Sequence, residues 1–292
     1  MCDLDTVADN KKYLGQQPPL SRRTFNKLGA GVALAAMLPP VANAQDVMEM
    51  DVNITTPDGV ADCYFVHPTS GRHAAVVVWP DILGLRPAFR AMGKRLAQSG
   101  YSVLVVNPFY RSAKSPVVAE GDQFSDPEVR NRVMPMAQQL NADTHFTDAR
   151  AFIGWLDQQA QVDTSKKVGT TGYCMGGPMV MRTAAAVPSR VGAAGTFHGG
   201  GLVTTAANSP HLLIPQMKAQ FLCCVAANDD EREPDAKNVL RDSFAAAGLQ
   251  AEIEVYEGAM HGWCPPDSAV YFEAQAEKAW SRMLVLFERA LA

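Results

Sequence analysis

Short apolar segments alternate with helical segments along most of this chain, and this alternation constrains the fold more than any other feature. Residues 74–79 and 101–106 are apolar and rich in valine, and the segment between them, 88–98, has helical character and stops before Gly100. Short β-branched runs of this kind are typical of strands buried on both faces of a parallel sheet. The alternation therefore predicts an α/β fold, a mostly parallel sheet with helices on both faces.

The same alternation continues to the C-terminus. Further strands are predicted at residues 168–171, 192–197, 221–226 and 252–256. Further helices are predicted at residues 144–159, 177–186, 235–246 and 269–290.

Two other segments complete the predicted domain. Residues 46–55 and 61–67 flank the turn-forming sequence Pro57-Asp58-Gly59, which predicts a β-hairpin. Residues 107–140 are rich in Pro, Ser and charge, and we predict an irregular stretch there that could cover a substrate site. No repeat or low-complexity linker divides residues 45–292, so we predict a single domain.

Residues 1–44 have the pattern of an export signal. A basic segment, 21–27, precedes the apolar run Leu28 to Leu38, and Ala42-Asn43-Ala44 has the small-x-small form of a processing site. The paired Arg22 and Arg23 resemble a twin-arginine signal, which implies recognition by the twin-arginine export machinery and export in the folded state. A membrane anchor is the alternative, but it needs roughly 20 apolar residues. We predict a periplasmic or secreted protein, without a membrane attachment after processing.

Charge and cysteine spacing exclude several classes of partner and cofactor. The net charge is −4 and the basic residues form no cluster, which argues against nucleic acid as a partner. Five cysteines follow the predicted signal, and Cys223 and Cys224 are adjacent, which is not a zinc-site spacing. An odd number of cysteines leaves at least one thiol outside any disulfide. No metal or nucleotide motif occurs, so no cofactor is expected.

The sequence Gly172-Tyr173-Cys174-Met175-Gly176-Gly177 is the sharpest indication of chemistry. It follows a predicted strand and precedes a predicted helix, which is the context of a nucleophile elbow, and glycines permit the tight turn that such an elbow needs. Cys174 would then be the nucleophile, and the backbone N–H of Met175 would stabilise an oxyanion. The same motif also fits a structural turn around a buried thiol.

Two other residues fit the roles of a base and of an acid that orients it. His261 follows the predicted strand 252–256, and Asp229 follows the predicted strand 221–226. A cysteine nucleophile needs a base within reach, and a carboxylate can orient that base. The chain order nucleophile, acid, base is that of α/β-hydrolases. Asp230 is the alternative acid, and the sequence leaves the choice open.

These motifs together resemble the dienelactone hydrolase family, from about Asp51 to the C-terminus. The resemblance implies an α/β-hydrolase fold and a Cys174–His261–Asp229 triad. Residues 79–85 are similar to the family's oxyanion segment, which implies that the backbone N–H of Ile82 is the second oxyanion donor. The resemblance also implies that Asp81, where the family usually has Glu, contacts the nucleophile and helps to control thiolate formation.

The chain departs from the family where the substrate carboxylate is bound. Family members hold that carboxylate with arginines, one of them shortly after the catalytic histidine, whereas Trp263-Cys264-Pro265-Pro266 stands there in this chain. Arg130 lies about where a second arginine is expected. His198, at the end of another predicted strand, and Trp263 are further candidates to line the substrate pocket, although a structural role fits His198 equally well.

We therefore predict a hydrolase of small esters or lactones that works through an acyl-Cys174 intermediate, with His261 as base and then acid. The resemblance implies a dienelactone hydrolase-like activity of the carboxymethylenebutenolidase type. Two alternatives remain open: a carboxylesterase or thioesterase with another substrate, and a catalytically silent periplasmic protein that binds a ligand.

Overall fold

A single eight-stranded sheet forms the centre of the fold. The computed structural model describes residues 4–16 and 37–292. The strands are β1 Val47–Thr56, β2 Gly59–Pro68, β3 Ala75–Trp79, β4 Ser102–Val106, β5 Val168–Tyr173, β6 Val191–Phe197, β7 Gln220–Ala226 and β8 Ala251–Tyr256. Their order across the sheet is β1-β2-β4-β3-β5-β6-β7-β8. β2 pairs antiparallel with β1 and β4, and all other pairs are parallel.

The helices lie between the strands in the chain. They are α1 Leu4–Gln16, α2 Pro87–Gln98, α3 Pro127–Gln138, α4 Ala142–Leu156, α5 Gly176–Ala186, α6 Ala227–Arg232, α7 Ala236–Ala246 and α8 Glu273–Ala290, together with a 3₁₀ helix, Pro210–Gln216. None of the helices in the described part of the chain is long and apolar enough to cross a membrane.

Both faces of the sheet are covered by helices because successive strand residues point to opposite faces. Val77 of β3 belongs to the apolar cluster that includes Phe152 of α4 and Met181 of α5. Its neighbour Val76 belongs to the cluster on the other face, which includes residues of α2 and α8 such as Phe89. The predicted α/β fold, a mostly parallel sheet covered on both faces, is confirmed.

One detail differs from the sequence-based expectations, and another lies outside the described residues. Residues 107–140 were expected to be irregular, but α3 lies within them. The helix begins there because Asp126 caps it and Pro127 occupies its first turn, a position that a proline tolerates well. Much of the predicted export signal, including Arg22 and Arg23, lies outside the described residues.

The carboxyl ends of five neighbouring parallel strands meet at one edge of the sheet. Asp81 follows β3, Cys174 follows β5, His198 follows β6, Asp229 follows β7 and His261 follows β8. In open α/β sheets this edge is where ligands bind.

The turn between β5 and α5 is possible only because of two glycines. A Cβ atom on Gly172 would lie 2.4 Å from the carbonyl oxygen of Gly176, and one on Gly176 would lie 2.4 Å from the carbonyl oxygen of Trp79. Both neighbours are backbone atoms, which cannot move without displacing β3 or α5. The close approach leaves Cys174 in a left-handed conformation, with φ +51°.

We predict that Gly176→Ala destabilises the fold by about 1–3 kcal/mol, because the added methyl group overpacks a contact between backbones. Gly154→Ala is the matched control, since no atom lies within 4 Å of its Cβ position in α4. That variant should gain roughly 0.5–1 kcal/mol from the better helix propensity of alanine. Urea unfolding of both variants measures the difference, and equal midpoints would contradict this account of the turn.

Candidate active site

Cys174 lies at the tip of the turn, enclosed by apolar side chains. Cys174 is 1% exposed, and it belongs to an apolar cluster that includes Ile82 and Leu83. The backbone N–H of Cys174 donates to the carbonyl of Phe197 at the end of β6, at 3.0 Å, and its carbonyl accepts from Gly177 at 3.0 Å. These bonds fix the turn to both neighbouring elements, so the position of the thiol is set by the backbone.

His261 lies between Cys174 and Asp229. Its Nδ1 is 2.7 Å from Oδ2 of Asp229, and its side chain is hydrogen-bonded to that of Cys174. The backbone N–H of His261 donates to Oδ1 of Asn228 at 2.8 Å. The structure thus brings together the three residues that the sequence suggested as a triad.

The neighbouring carboxylate, Asp230, is directed elsewhere. Its two oxygens lie 2.6 and 2.7 Å from Nζ of Lys237. Asp229 and Asp230 both belong to the first turn of α6, and consecutive residues of a helix point in different directions. Of the two carboxylates that the sequence left open, Asp229 is therefore the one in contact with His261.

The surroundings of His261 favour its protonated imidazolium form over the neutral imidazole. Burial disfavours the imidazolium, but the charges and hydrogen bonds of Asp229 and Cys174 more than offset it and raise the pKa of His261 to about 10. His261 is therefore protonated at neutral pH. A protonated imidazole beside a cysteine favours the thiolate, the form of cysteine that acts as a nucleophile.

Asp81 belongs to a buried cluster with Arg86 and Asp267. Its oxygens accept from the Arg86 guanidinium at 2.6 and 2.9 Å, and Oδ1 also accepts from the backbone N–H of Leu83 at 2.9 Å. Burial raises the pKa of Asp81, and although Arg86 opposes this rise, the charges of Asp267 and Cys174 add to it. Asp81 and Cys174 line the same cavity, so their charges are coupled.

The two expected oxyanion donors lie close to the thiol. Met175 is the N-cap residue of α5, where backbone N–H groups and the helix dipole favour a negative charge. Ile82 is buried on the loop after β3 and lines the same cavity as Cys174. Amides in these positions can stabilise an oxygen that becomes negative when Cys174 attacks a carbonyl group.

Of the three further pocket candidates, only His198 lines the cavity. Arg130, on α3, donates instead to the carbonyls of Phe124 and Ser125, at 3.1 and 2.7 Å. Trp263 is a core residue, stacked on Tyr256 with ring centroids 5.3 Å apart. The His198 ring packs edge-on against the His261 ring at 5.2 Å, and burial together with the charge of His261 lowers its pKa well below the usual value.

Helix α1 covers one side of the cavity. Five of its residues line the cavity, which has a volume of about 110 Å³: Thr6, Val7, Asn10, Lys11 and Leu14. The Asn10 amide donates to the carbonyl of His261 at 3.2 Å, and Asp9 forms an ion pair with Arg232 of α6. The sequence does not predict this contact, because residues 1–44 have the pattern of an export signal and no motif links them to the cavity.

Comparison with known proteins gives the chain a family. The sequence model of the dienelactone hydrolase family matches residues 61–291. The chain belongs to the dienelactone hydrolase family. Among its relatives, the carboxymethylenebutenolidase of Rhodococcus opacus is 26% identical over 238 residues, which cover 78% of this chain and 86% of the relative. Membership indicates a hydrolase that acts on ester or lactone bonds.

Solved structures show the same fold. A dienelactone hydrolase-like promiscuous phosphotriesterase from metagenomic libraries has a TM-score of 0.70 at 21% identity, over 84% of this chain and 99% of the other. The dienelactone hydrolase of Anabaena variabilis has a TM-score of 0.60 at 16% identity, over the same shares. An α/β-hydrolase fold therefore describes this member of the dienelactone hydrolase family.

The cysteines of this dienelactone hydrolase family member other than the candidate nucleophile are structural. Cys63, Cys223, Cys224 and Cys264 are buried and form no disulfide. Burial raises the pKa of Cys223 to about 11, and raises those of Cys63, Cys224 and Cys264 also. Neutral thiols in such surroundings are poor nucleophiles.

In the described part of the chain, no group of three or more His, Cys, Asp or Glu side chains could hold a metal ion.

We predict that Asp229→Asn lowers the pKa of His261 and reduces kcat/KM for an ester roughly 10²- to 10⁴-fold, because the imidazolium loses its counter-charge. Asp230→Asn is the matched control and should leave both quantities near their wild-type values, since its partner is Lys237. Histidine-ring NMR titration, with the His261 signal assigned from a His261→Gln spectrum, measures the pKa. A wild-type titration in the Asp229→Asn variant would refute the pairing.

Proposed function

We propose that this chain hydrolyses small esters or lactones through an acyl intermediate on Cys174, with His261 and Asp229 completing a triad. The observation that carries the proposal is the chain of contacts from Cys174 to His261 and from His261 to Asp229 in a buried site. Membership of the dienelactone hydrolase family supports the reaction class, and carboxymethylenebutenolidase is the activity that the name of the Rhodococcus opacus relative states.

The reaction begins from a Cys174 thiolate beside a protonated His261. The Cys174 thiolate attacks the substrate carbonyl, and the amides of Ile82 and Met175 stabilise the resulting oxyanion. His261 gives its proton to the departing alkoxide as the acyl-cysteine forms. The neutral imidazole then takes a proton from water, and the resulting hydroxide attacks the thioester carbonyl and restores the thiolate and the imidazolium.

Two other functions remain as outcomes of the test. A carboxylesterase or thioesterase would use the same triad on another acyl group. A silent relative that only binds a ligand would keep the cavity without turnover. The contact between Cys174 and a protonated His261 favours catalysis over binding alone, because the imidazolium favours the thiolate form of Cys174. Burial raises the pKa values of Cys63 and Cys224, which favours their neutral, unreactive form.

We also propose that residues 1–44 are an export signal of the twin-arginine type, removed after Ala44, and that the protein acts in the periplasm or outside the cell. The basic segment, apolar run and small-x-small site support it. Cleavage after Ala44 would remove α1 from the cavity that it lines. We therefore expect processing to open the entrance to the active site.

We predict that Cys174→Ala abolishes ester hydrolysis and that Cys174→Ser retains weak activity at best, because a serine hydroxyl is far less acidic than a thiol and needs a stronger base. Cys223→Ala is the control, since that thiol is buried away from the cavity on the sheet, and it should keep its activity per folded molecule. The readout is hydrolysis of para-nitrophenyl acetate by full-length protein with a verified circular dichroism spectrum. Wild-type turnover by Cys174→Ala would disprove the proposed function.

We predict that replacing Arg22 and Arg23 with lysine retains the precursor in the cytosol, because the twin-arginine machinery reads the arginine pair. Cell fractionation and immunoblotting measure the distribution. Normal export of the double variant would exclude a twin-arginine signal without affecting the proposed reaction.

A further inference from the structure

The charged groups around the active-site cavity are few, and the buried cations among the described residues that line it are Arg86 and His261, of which His261 is paired with Asp229 and Cys174. The Arg86 side chain is 5% exposed, and it lies between the carboxylates of Asp81 and Asp267. Lys11 of α1 also lines the cavity, but its side chain is exposed to solvent. An exposed ammonium group is hydrated and screened, so it attracts an anion only weakly.

Every donor of the Arg86 guanidinium already has an acceptor. A guanidinium has five N–H bonds. Nε donates to Asp267 Oδ2 at 2.6 Å, and Nη2 donates to Asp267 Oδ1 at 3.0 Å and to Asp81 Oδ2 at 2.9 Å. Nη1 donates to Asp81 Oδ1 at 2.6 Å and to the carbonyl of Gly84 at 3.3 Å. The guanidinium therefore has no donor left for a substrate.

The cluster also has no surplus positive charge. Two carboxylates face one guanidinium, and the Asp267 side chain is 21% exposed while that of Asp81 is 12% exposed. A carboxylate on the substrate would have to leave water and enter a cavity beside these two carboxylates. The other buried cation there, His261, is already paired with Asp229 and Cys174, so the substrate carboxylate would have no charged partner of its own. Burial of an unpaired charge is strongly unfavourable.

The position of Asp267 explains how the cluster arises. Asp267 follows His261 by six residues, directly after the segment 263–266 where the family resemblance implies an arginine that holds the substrate carboxylate. Asp267 binds Arg86 through both of its carboxylate oxygens. Gln123 fastens the backbone there, since its amide donates to the backbone carbonyl of Asp267 at 2.9 Å.

We infer that the site takes esters or lactones whose acyl group carries no negative charge, and that Asp267 sets this selectivity by occupying the Arg86 guanidinium. The inference rests on the proposed function and names its substrate class. It separates this chain from an enzyme for carboxylate-bearing dienelactones, because that substrate would meet two carboxylates and no available arginine.

The test compares two esters with the same number of acyl carbons, para-nitrophenyl pentanoate and mono-para-nitrophenyl glutarate. The full-length chain is used, and the uncatalysed rate of each ester is subtracted. We expect kcat/KM for the pentanoate to exceed that for the glutarate by about 10-fold or more, since the glutarate carboxylate finds no partner. An equal or higher value for the glutarate would overturn the inference.

Asp267→Asn tests the assigned residue. Loss of the Asp267 charge changes the net charge of the cluster from −1 to 0 and weakens the hold on the Arg86 donors that face Asp267, so the glutarate should gain about 10-fold relative to the pentanoate, mainly through a lower KM. Asp157→Asn removes the same charge at a distant ion pair with Arg190 and should leave the ratio unchanged. Lys11→Gln should leave it unchanged too. An unchanged ratio in a folded Asp267→Asn variant would overturn the role of Asp267.

A binding measurement keeps this inference separate from the proposed function. Pentanamide and glutaramate have the same carbon chain and differ only in that a terminal methyl group is replaced by a carboxylate. Each can be tested for protection of Cys174 against iodoacetamide in the wild-type protein. We expect pentanamide to protect at a concentration at least about 10-fold lower. If neither ester is hydrolysed but pentanamide still protects better, the catalytic proposal fails and the selectivity stands. Equal or better protection by glutaramate contradicts the selectivity alone.

Discussion

The close approach of two backbones at the turn between β5 and α5 is the constraint on which the site depends. Gly172 and Gly176 let the chain reverse within van der Waals contact of itself and of the end of β3. The reversal places Cys174 in a left-handed conformation at the carboxyl edge of the sheet. Strain of this kind persists only where the surrounding structure enforces it, and here hydrogen bonds from the turn to β6 and α5 do so.

The electrostatics of the site follow from this placement. Since the thiol is buried, a charge on it must be balanced nearby, and His261 is the group in contact with it. His261 can stay protonated in a buried position because Asp229 lies 2.7 Å away on its other side. A second charged group, Asp81 with Arg86 and Asp267, balances most of its own charge internally. In the proposed reaction the first of these charged groups acts on the substrate, and in the proposed selectivity the second excludes negatively charged acyl groups.

The sequence predicted the parts of the structure that depend on local pattern. Buried strands and amphipathic helices carry their periodicity in consecutive residues. The glycine-rich elbow motif and the predicted strand ends likewise indicate Cys174, Asp229 and His261 from short stretches of sequence. Contacts between distant segments were not predictable in this way. Arg86 meets Asp267 across 181 positions of the chain, and α1 meets the cavity across a longer separation still. The sequence suggests Arg130 as a substrate-binding residue, but Arg130 does not line the cavity. It lies in α3, which begins at Pro127, and its guanidinium donates to a carbonyl of the preceding loop.

The acyl-cysteine is the central claim, and trapping it is the most direct measurement. The protein is mixed with para-nitrophenyl acetate, quenched with acid within the first turnover, digested and analysed by mass spectrometry. The account predicts a burst of para-nitrophenol together with one acetyl group per chain, on the peptide that contains Cys174. Turnover without any acetylated peptide, or with the acetyl group on another residue, would contradict it.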